Sequence, residues 1–80
     1  MITLYSTEGC HLCEMAFQLC QQAGIAEHIR IIDIAFDDEL FSRYGVTIPV
    51  LNYNDTELNW PFDLQELKLW LDKNGITYHQ

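Results

Sequence analysis

Two cysteines, Cys10 and Cys13, stand at the point where a predicted strand gives way to a predicted helix. The alternating segment Ile2-Thr3-Leu4-Tyr5 predicts the strand, and the apolar spacing over residues 12 to 23 predicts an amphipathic helix. We therefore expect Cys10 at the helix N-terminus, where free backbone N–H groups and the helix dipole stabilise a negative charge. A cysteine placed there has a pKa of roughly 3.5–7.5, against about 8.5 for a free thiol, and it reacts as a thiolate.

The predicted helix gives the two sulfurs different surroundings. Its apolar face consists of Leu12, Met15, Ala16, Leu19, Cys20 and Ala23. Cys13 falls within this face, Cys10 lies at its edge, and Phe17 at the opposite border is expected to pack beneath the site. We predict that Cys10 is the exposed attacking thiol and Cys13 the shielded resolving thiol. His11 is a candidate for redox tuning, because an imidazolium stabilises a nearby thiolate, although an exposed histidine is as often merely solvated.

Size and charge limit the class of protein. Eighty residues predict a single domain over residues 1–80 and exclude a second catalytic domain. No apolar run approaches the roughly 18 residues of a membrane span, and the chain begins with a predicted strand rather than a signal peptide, so we expect a cytoplasmic protein. The net charge of −8 repels phosphate backbones and anionic lipid, so neither nucleic acid nor a membrane is an expected partner.

The three cysteines do not form a secreted disulfide framework, because their number is odd. In a reducing compartment a C-x-x-C pair is catalytic or metal-binding. A structural zinc site needs four converging ligands, and no second C-x-x-C or H-x-H cluster accompanies Cys10 and Cys13, so we predict no metal site. Cys20 is expected to serve packing, and His28 and His79 are predicted surface residues.

The rest of the chain alternates between strand and helix patterns. Residues 28–34 are β-branched and apolar, which predicts a strand parallel to the first and buried on both faces. A short helix should follow from Asp37 or Asp38 to Tyr44, ended by Gly45. We expect its inner side to present Leu40, Phe41 and Tyr44.

The last part of the sequence predicts a hairpin and a closing helix. Residues 50–53 and 57–60 should pair in an antiparallel manner around the turn at Asn54-Asp55. Asp63 is the expected N-cap of the final helix, which should end at Gly75.

These features together resemble the glutaredoxin-like branch of the thioredoxin superfamily, and most closely its small bacterial glutaredoxin-like proteins. The resemblance rests on Tyr5-Ser6, Cys10-His11-Leu12-Cys13, Asp33-Ile34, Asp37-Asp38, Tyr44-Gly45, Ile48-Pro49-Val50-Leu51 and Trp60-Pro61-Phe62-Asp63. It implies an α/β, thioredoxin-like fold of glutaredoxin type, β-α-β-α-β-β-α with a mixed four-stranded sheet, which agrees with the order of elements predicted above. It also implies a cis Ile48-Pro49 peptide bond beside the dithiol.

The resemblance further implies a thiol-disulfide oxidoreductase active in cell redox homeostasis. Cys10 and Cys13 would carry the reaction, while Ile48, Pro49, Phe62 and Asp63 would bind the substrate. The expected partner is a disulfide-containing protein or a low-molecular-weight disulfide, and the expected state is a monomer. The alternative is a thioredoxin-fold redox sensor or protein-binding adaptor with little turnover.

The chain departs from authentic glutaredoxins at the positions that hold glutathione. Glutaredoxins carry a cation shortly before the first cysteine and a glycine pair before the last helix, whereas this chain has Thr7-Glu8-Gly9 and Trp60-Pro61-Phe62. The N–H groups that begin at Asp63 remain available to a carboxylate. No cofactor is therefore required, and glutathione is a possible but weakly held reductant.

Overall fold

The computed structural model describes residues 1–78, so His79 lies outside the described residues. The four strands are β1 (Ile2–Ser6), β2 (Ile29–Asp33), β3 (Val50–Tyr53) and β4 (Thr56–Asn59). The three α-helices are α1 (His11–Gln22), α2 (Asp38–Tyr44) and α3 (Leu64–Lys73). Single 3₁₀ turns, Ala26–His28 and Ile34–Phe36, precede and follow β2. Within residues 1–78, no helix has the length and apolar character needed to cross a membrane.

The strands form one mixed sheet in the order β2-β1-β3-β4. β1 pairs with β2 in parallel, while β1 with β3 and β3 with β4 are antiparallel. Asn54 and Asp55 both adopt positive φ angles, 47° and 67°, which gives the two-residue turn its hairpin twist. The predicted α/β fold and the predicted mixed sheet are confirmed.

Side-chain caps define where the helices begin. Asp37 accepts hydrogen bonds from the N–H groups of Glu39 and Leu40 at the start of α2. Asp63 accepts one from the N–H of Glu66 at the start of α3. These caps satisfy backbone donors that have no partner inside the helix.

Two residues after the end of α1, a glycine lies in the left-handed region. Gly24 has a φ of 75°, and the N–H of Ile25 donates to the carbonyl of Cys20 across 3.0 Å. This is the Schellman arrangement, which only glycine adopts without strain.

The sheet separates two apolar clusters. The larger one lies between the sheet and helices α1 and α3, and its buried members are Ile2, Leu4, Ala16, Cys20, Ala23, Ile25, Leu51, Phe62, Leu67, Trp70 and Leu71. The smaller cluster lies under α2 and joins Ile34, Tyr44 and Val50, with Tyr5 stacked on Tyr44. Successive residues of β1 therefore serve opposite clusters, as the alternation of a strand requires.

Three predictions about burial are wrong. β2 is not buried on both faces, because it is an edge strand, and Ile31 is 56% exposed. Leu12 and Met15 do not belong to the buried face of α1, which is formed by Cys13, Ala16 and Cys20. Phe41 is 58% exposed, because only Tyr44 and the half-buried Leu40 of this short helix meet the sheet.

Candidate active site

The two cysteines of the C-x-x-C segment lie at the N-terminus of α1 and are joined by a disulfide bond. Cys10 is the N-cap residue, and the N–H of Cys13 donates a hydrogen bond to Cys10 Sγ across 3.1 Å. Cys10 is half-buried, whereas Cys13 is only 3% exposed. The more accessible sulfur is thus the one that receives a backbone N–H and the positive end of the helix dipole.

The loop that leads into Cys10 is tied to the neighbouring strand. The hydroxyl of Thr7 donates to Asp33 Oδ1 across 3.1 Å, and the N–H of Ala35 donates to the same oxygen across 2.9 Å. Within the loop, the N–H of Cys10 donates to the carbonyl of Thr7 across 3.3 Å, and Gly9 has a φ of 77°. The end of β2 therefore fixes the turn that presents Cys10.

The sheet register brings Ile48-Pro49 to the same end of the sheet as the dithiol. Tyr5 at the end of β1 pairs with Val50 at the start of β3, so Pro49 lies where β1 leads toward Cys10. The Ile48-Pro49 peptide bond is cis, as the resemblance implied. The N–H of Ile48 donates to the carbonyl of Tyr44 across 3.1 Å. Substrate binding by Ile48 and Pro49 stays a prediction.

The segment that follows β4 returns to this end of the sheet. Asn59 pairs with Val50, and the N–H of Trp60 donates to the carbonyl of Pro49 across 3.2 Å. The Trp60-Pro61 bond is also cis, a feature the sequence analysis missed. Its signal is a second X–Pro dipeptide in a tight segment, but such dipeptides are usually trans.

Phe62 and Asp63, both predicted to bind the substrate, have structural contacts of their own. Phe62 is 5% exposed and belongs to the larger apolar cluster, so its side chain serves the core. The Asp63 carboxylate accepts a hydrogen bond from the N–H of Glu66 across 2.8 Å, which places a negative charge at the start of α3. Substrate binding by these residues stays a prediction.

A cavity of about 500 Å³ opens beside the dithiol and is lined by both Cys10 and Cys13. Its apolar lining comes from Leu4, Phe17 and Ile31. Phe17 therefore borders the site, as its predicted place beneath the dithiol requires. The cavity lies on the side of the sheet that carries α1.

Two carboxylates and an imidazole lie around the dithiol. Glu8 and Glu14 are exposed and line the cavity. The His11 imidazole is exposed, and its Nδ1 lies 3.5 Å from Glu14 Oε2. This contact directs His11 toward a carboxylate, and its role in redox tuning stays a prediction.

The third cysteine has the environment of a packing residue. Cys20 is fully buried in the larger cluster, and burial raises the pKa of its thiol to about 12. It stays protonated, and therefore unreactive, at neutral pH. Among residues 1–78, no three His, Cys, Asp or Glu side chains converge on a point where a metal could bind.

Comparison with known proteins identifies a family model and two solved structures. The family model described as "Glutaredoxin-like domain (DUF836)" matches residues 1–72. The crystal structure of the structural genomics target XcR50 from X. campestris is 40% identical, covering 91% of this chain and 97% of that chain with a TM-score of 0.85. The solution structure of the same target gives 38% identity and a TM-score of 0.81, covering 98% and 97% of the two chains. No curated protein matches.

Proposed function

This chain belongs to the glutaredoxin-like domain family, and we propose that it is a thiol-disulfide oxidoreductase with Cys10 as the attacking thiol and Cys13 as the resolving thiol. The observation that carries the proposal is the hydrogen bond from the N–H of Cys13 to Cys10 Sγ at the start of α1. That N–H stabilises a thiolate on Cys10 more than a thiol, because the acceptor then carries a full charge.

The reaction proceeds in two exchanges of sulfur partners. The Cys10 thiolate attacks one sulfur of a substrate disulfide, which forms a mixed disulfide and releases the other substrate sulfur as a thiolate that takes up a proton. Cys13, once deprotonated, attacks Cys10 Sγ, which forms the intramolecular disulfide and releases the second substrate thiol. Two electrons pass from the dithiol to the substrate, and an external thiol or dithiol reductant restores the reduced protein.

The proposed partners follow from the charge and the cavity. We propose that the substrate is a disulfide-containing protein or a low-molecular-weight disulfide. We also propose that this protein acts as a monomer in the cytoplasm and requires no cofactor. Glutathione is a poor candidate for the reductant, because Glu8, Glu14 and Asp63 present carboxylates to an anionic thiol. The carbonyl of Ile48 beside the cis Pro49 supports the pairing of an extended substrate chain.

Trapping of mixed disulfides tests the proposal. Cys13→Ser removes the resolving thiol, so mixed disulfides should persist on Cys10. Addition of a reductant should cleave them and release the captured partner. The matched control is Cys13→Ser combined with Cys10→Ser, which keeps Cys20. Equal capture by the single and double variants would contradict the assignment of Cys10.

A binding role is the second candidate, and exposed apolar residues favour it. Leu12 lies between the cysteines at 45% exposure, and Val46, three positions before Pro49, is 98% exposed. An adaptor or sensor would use such residues to hold a partner with little turnover. Steady-state reduction of a small neutral disulfide separates the two, because an adaptor would show stoichiometric oxidation without multiple turnovers.

A further inference from the structure

The cavity beside the dithiol carries negative charge, and within residues 1–78 no cationic side chain lines it. Glu8 lies two positions before Cys10 and Glu14 directly follows Cys13, and both line the cavity. None of the four Lys and Arg residues in the chain lines it. A ligand that reaches the dithiol through this cavity therefore meets a negative potential.

The apolar part of the cavity is open to contact. Leu4 is buried, Phe17 is half-buried, and Ile31 on the edge strand β2 is 56% exposed. A large exposed isoleucine within a concave surface offers its area to an incoming side chain. The cavity thus combines an apolar contact, two carboxylates and the reactive disulfide.

Resting on the oxidoreductase function proposed above, we propose that this cavity selects peptide disulfides that carry lysine or arginine and an apolar residue beside the cystine. Glu8 and Glu14 are the specificity-determining residues for the positive charge, and Ile31 contributes the apolar contact. The chemistry at sulfur is unchanged: the Cys10 thiolate forms the mixed disulfide, one substrate thiol leaves, and Cys13 releases the other.

The size of the selection follows from the distances available in a cavity of this volume. A pair of opposite unit charges about 6 Å apart in water changes an equilibrium or rate roughly threefold. Two glutamates acting on one cation therefore give roughly tenfold at low salt, and ions at 0.5 M screen most of it. An anionic substrate experiences the same field as repulsion.

The test uses symmetrical disulfides of three tetrapeptides, acetyl-X-Leu-Cys-X-amide, with lysine, glutamine or glutamate at both X positions. Second-order rate constants are measured for reduction by the wild-type protein at pH 8. We expect the lysine peptide to react fastest and the glutamate peptide slowest. The ratio of their rates should fall toward unity in 0.5 M salt.

Charge-neutral variants assign the selection to the two glutamates. At low salt the double variant Glu8→Gln with Glu14→Gln should lower the lysine-to-glutamate rate ratio roughly a hundredfold, because the attraction of the lysine peptide and the repulsion of the glutamate peptide each account for roughly tenfold. The matched control, Glu27→Gln with Asp55→Asn, changes the net charge equally. Both control positions lie outside the cavity, after the C-terminal end of α1 and in the β3–β4 turn, so the ratio should stay within about twofold of wild type.

A separate experiment tests the apolar contact with Ile31. Ile31→Ser should slow the reaction of the lysine peptide that contains leucine and spare a matched peptide with serine in place of leucine. Phe36→Ser, at a side chain that is 88% exposed and outside the cavity, is the control.

The outcomes separate this inference from the function on which it rests. If the glutamine peptide is reduced in a Cys10-dependent manner but both double variants keep the wild-type ratio, the selection is overturned and the oxidoreductase stands. If no peptide reacts faster with wild type than with Cys10→Ser, both proposals fall. The selection is supported if the lysine-to-glutamate rate ratio falls in the double variant Glu8→Gln with Glu14→Gln but not in the control double variant.

Discussion

Thr7 and Asp33 join the loop before the dithiol to the end of the edge strand, through a hydrogen bond of 3.1 Å from the Thr7 hydroxyl to the Asp33 carboxylate. Asp33 also receives the N–H of Ala35, so a single carboxylate oxygen organises two turns at this end of the sheet. The position of Cys10 therefore depends on β2 as well as on its own helix.

We expect Thr7→Val to lower the free energy of unfolding of the oxidised protein by about 1 kcal/mol, the usual net value of one hydrogen bond. Thr7→Ser keeps the hydroxyl and should lose less than half of that amount. Urea unfolding measures both, with Thr77→Val at an exposed position as the control. Equal losses in Thr7→Val and Thr77→Val would show that the link to Asp33 contributes nothing to stability.

Alkylation of the reduced protein should distinguish the three thiols. Cys10 should be labelled first, with an apparent pKa clearly below the roughly 8.5 of a free thiol, because a helix N-terminus stabilises its thiolate. Cys20 should resist labelling until the protein unfolds, since burial raises its pKa to about 12. Iodoacetamide labelling across pH, read by mass spectrometry, provides the measurement. Faster labelling of Cys13 would reverse the assigned roles.

Tyr44 should make stability depend on pH in the alkaline range. Burial raises the pKa of Tyr44 to about 12, and the hydrogen bond to Glu57 adds to the shift. The unfolded chain loses this proton near pH 10, so the stability that the neutral phenol provides is complete below pH 10 and is lost as pH rises toward 12.

Tyr44→Phe isolates this contribution. We expect wild type to exceed the variant by about 1 kcal/mol at pH 7 to 9, because the variant lacks the hydrogen bond to the exposed Glu57. The difference should shrink above pH 10. Urea unfolding at pH 7, 9, 10.5 and 11 measures it, and a difference that stays constant over this range would contradict the prediction.

Glutathione should reduce the Cys10–Cys13 disulfide poorly. This chain lacks the cation that glutaredoxins carry shortly before the first cysteine, so a charge-assisted hydrogen bond to glutathione is missing. Such a bond is worth roughly 1.5–3 kcal/mol, or about one to two decades of affinity. Thr7→Lys should raise the rate with glutathione, whereas Thr7→Gln, which also lacks the hydroxyl, should not. Rates are measured by following the loss of the disulfide, and fast reduction of the wild type by glutathione would show that backbone groups near Ile48 and Asp63 are sufficient.

Local rules predicted the parts of this fold that local rules control. Asp37 and Asp63 lie at helix starts as the sequence predicts, because each offers an acceptor to free N–H groups, and Gly75 follows the last helix with a positive φ as glycine allows. The C-x-x-C pair at a strand-to-helix junction gave the candidate site.

Which apolar residues are buried, and where the cavity forms, depends on long-range contacts that local sequence patterns do not predict. Ile31 looked like a buried residue until the strand order placed β2 at the edge, and apolar content alone does not distinguish a central strand from an edge strand. Leu12 and Met15 are exposed although they are apolar, and the buried face of α1 is formed by the smaller side chains of Cys13, Ala16 and Cys20. The cavity with Glu8 and Glu14 depends on a helix and a loop meeting, which no spacing rule predicts.

The burial of Cys20 has a consequence for how the chain handles oxidation. A protein with three accessible sulfurs could scramble, since any mixed disulfide on the first could pass to either of the others, and the leftover thiol could crosslink two molecules. With Cys20 fully buried and its thiol held protonated, Cys13 is the one other thiol of the chain that could resolve the mixed disulfide proposed for Cys10. Of the three cysteines, only Cys10 and Cys13 are therefore expected to exchange between dithiol and disulfide.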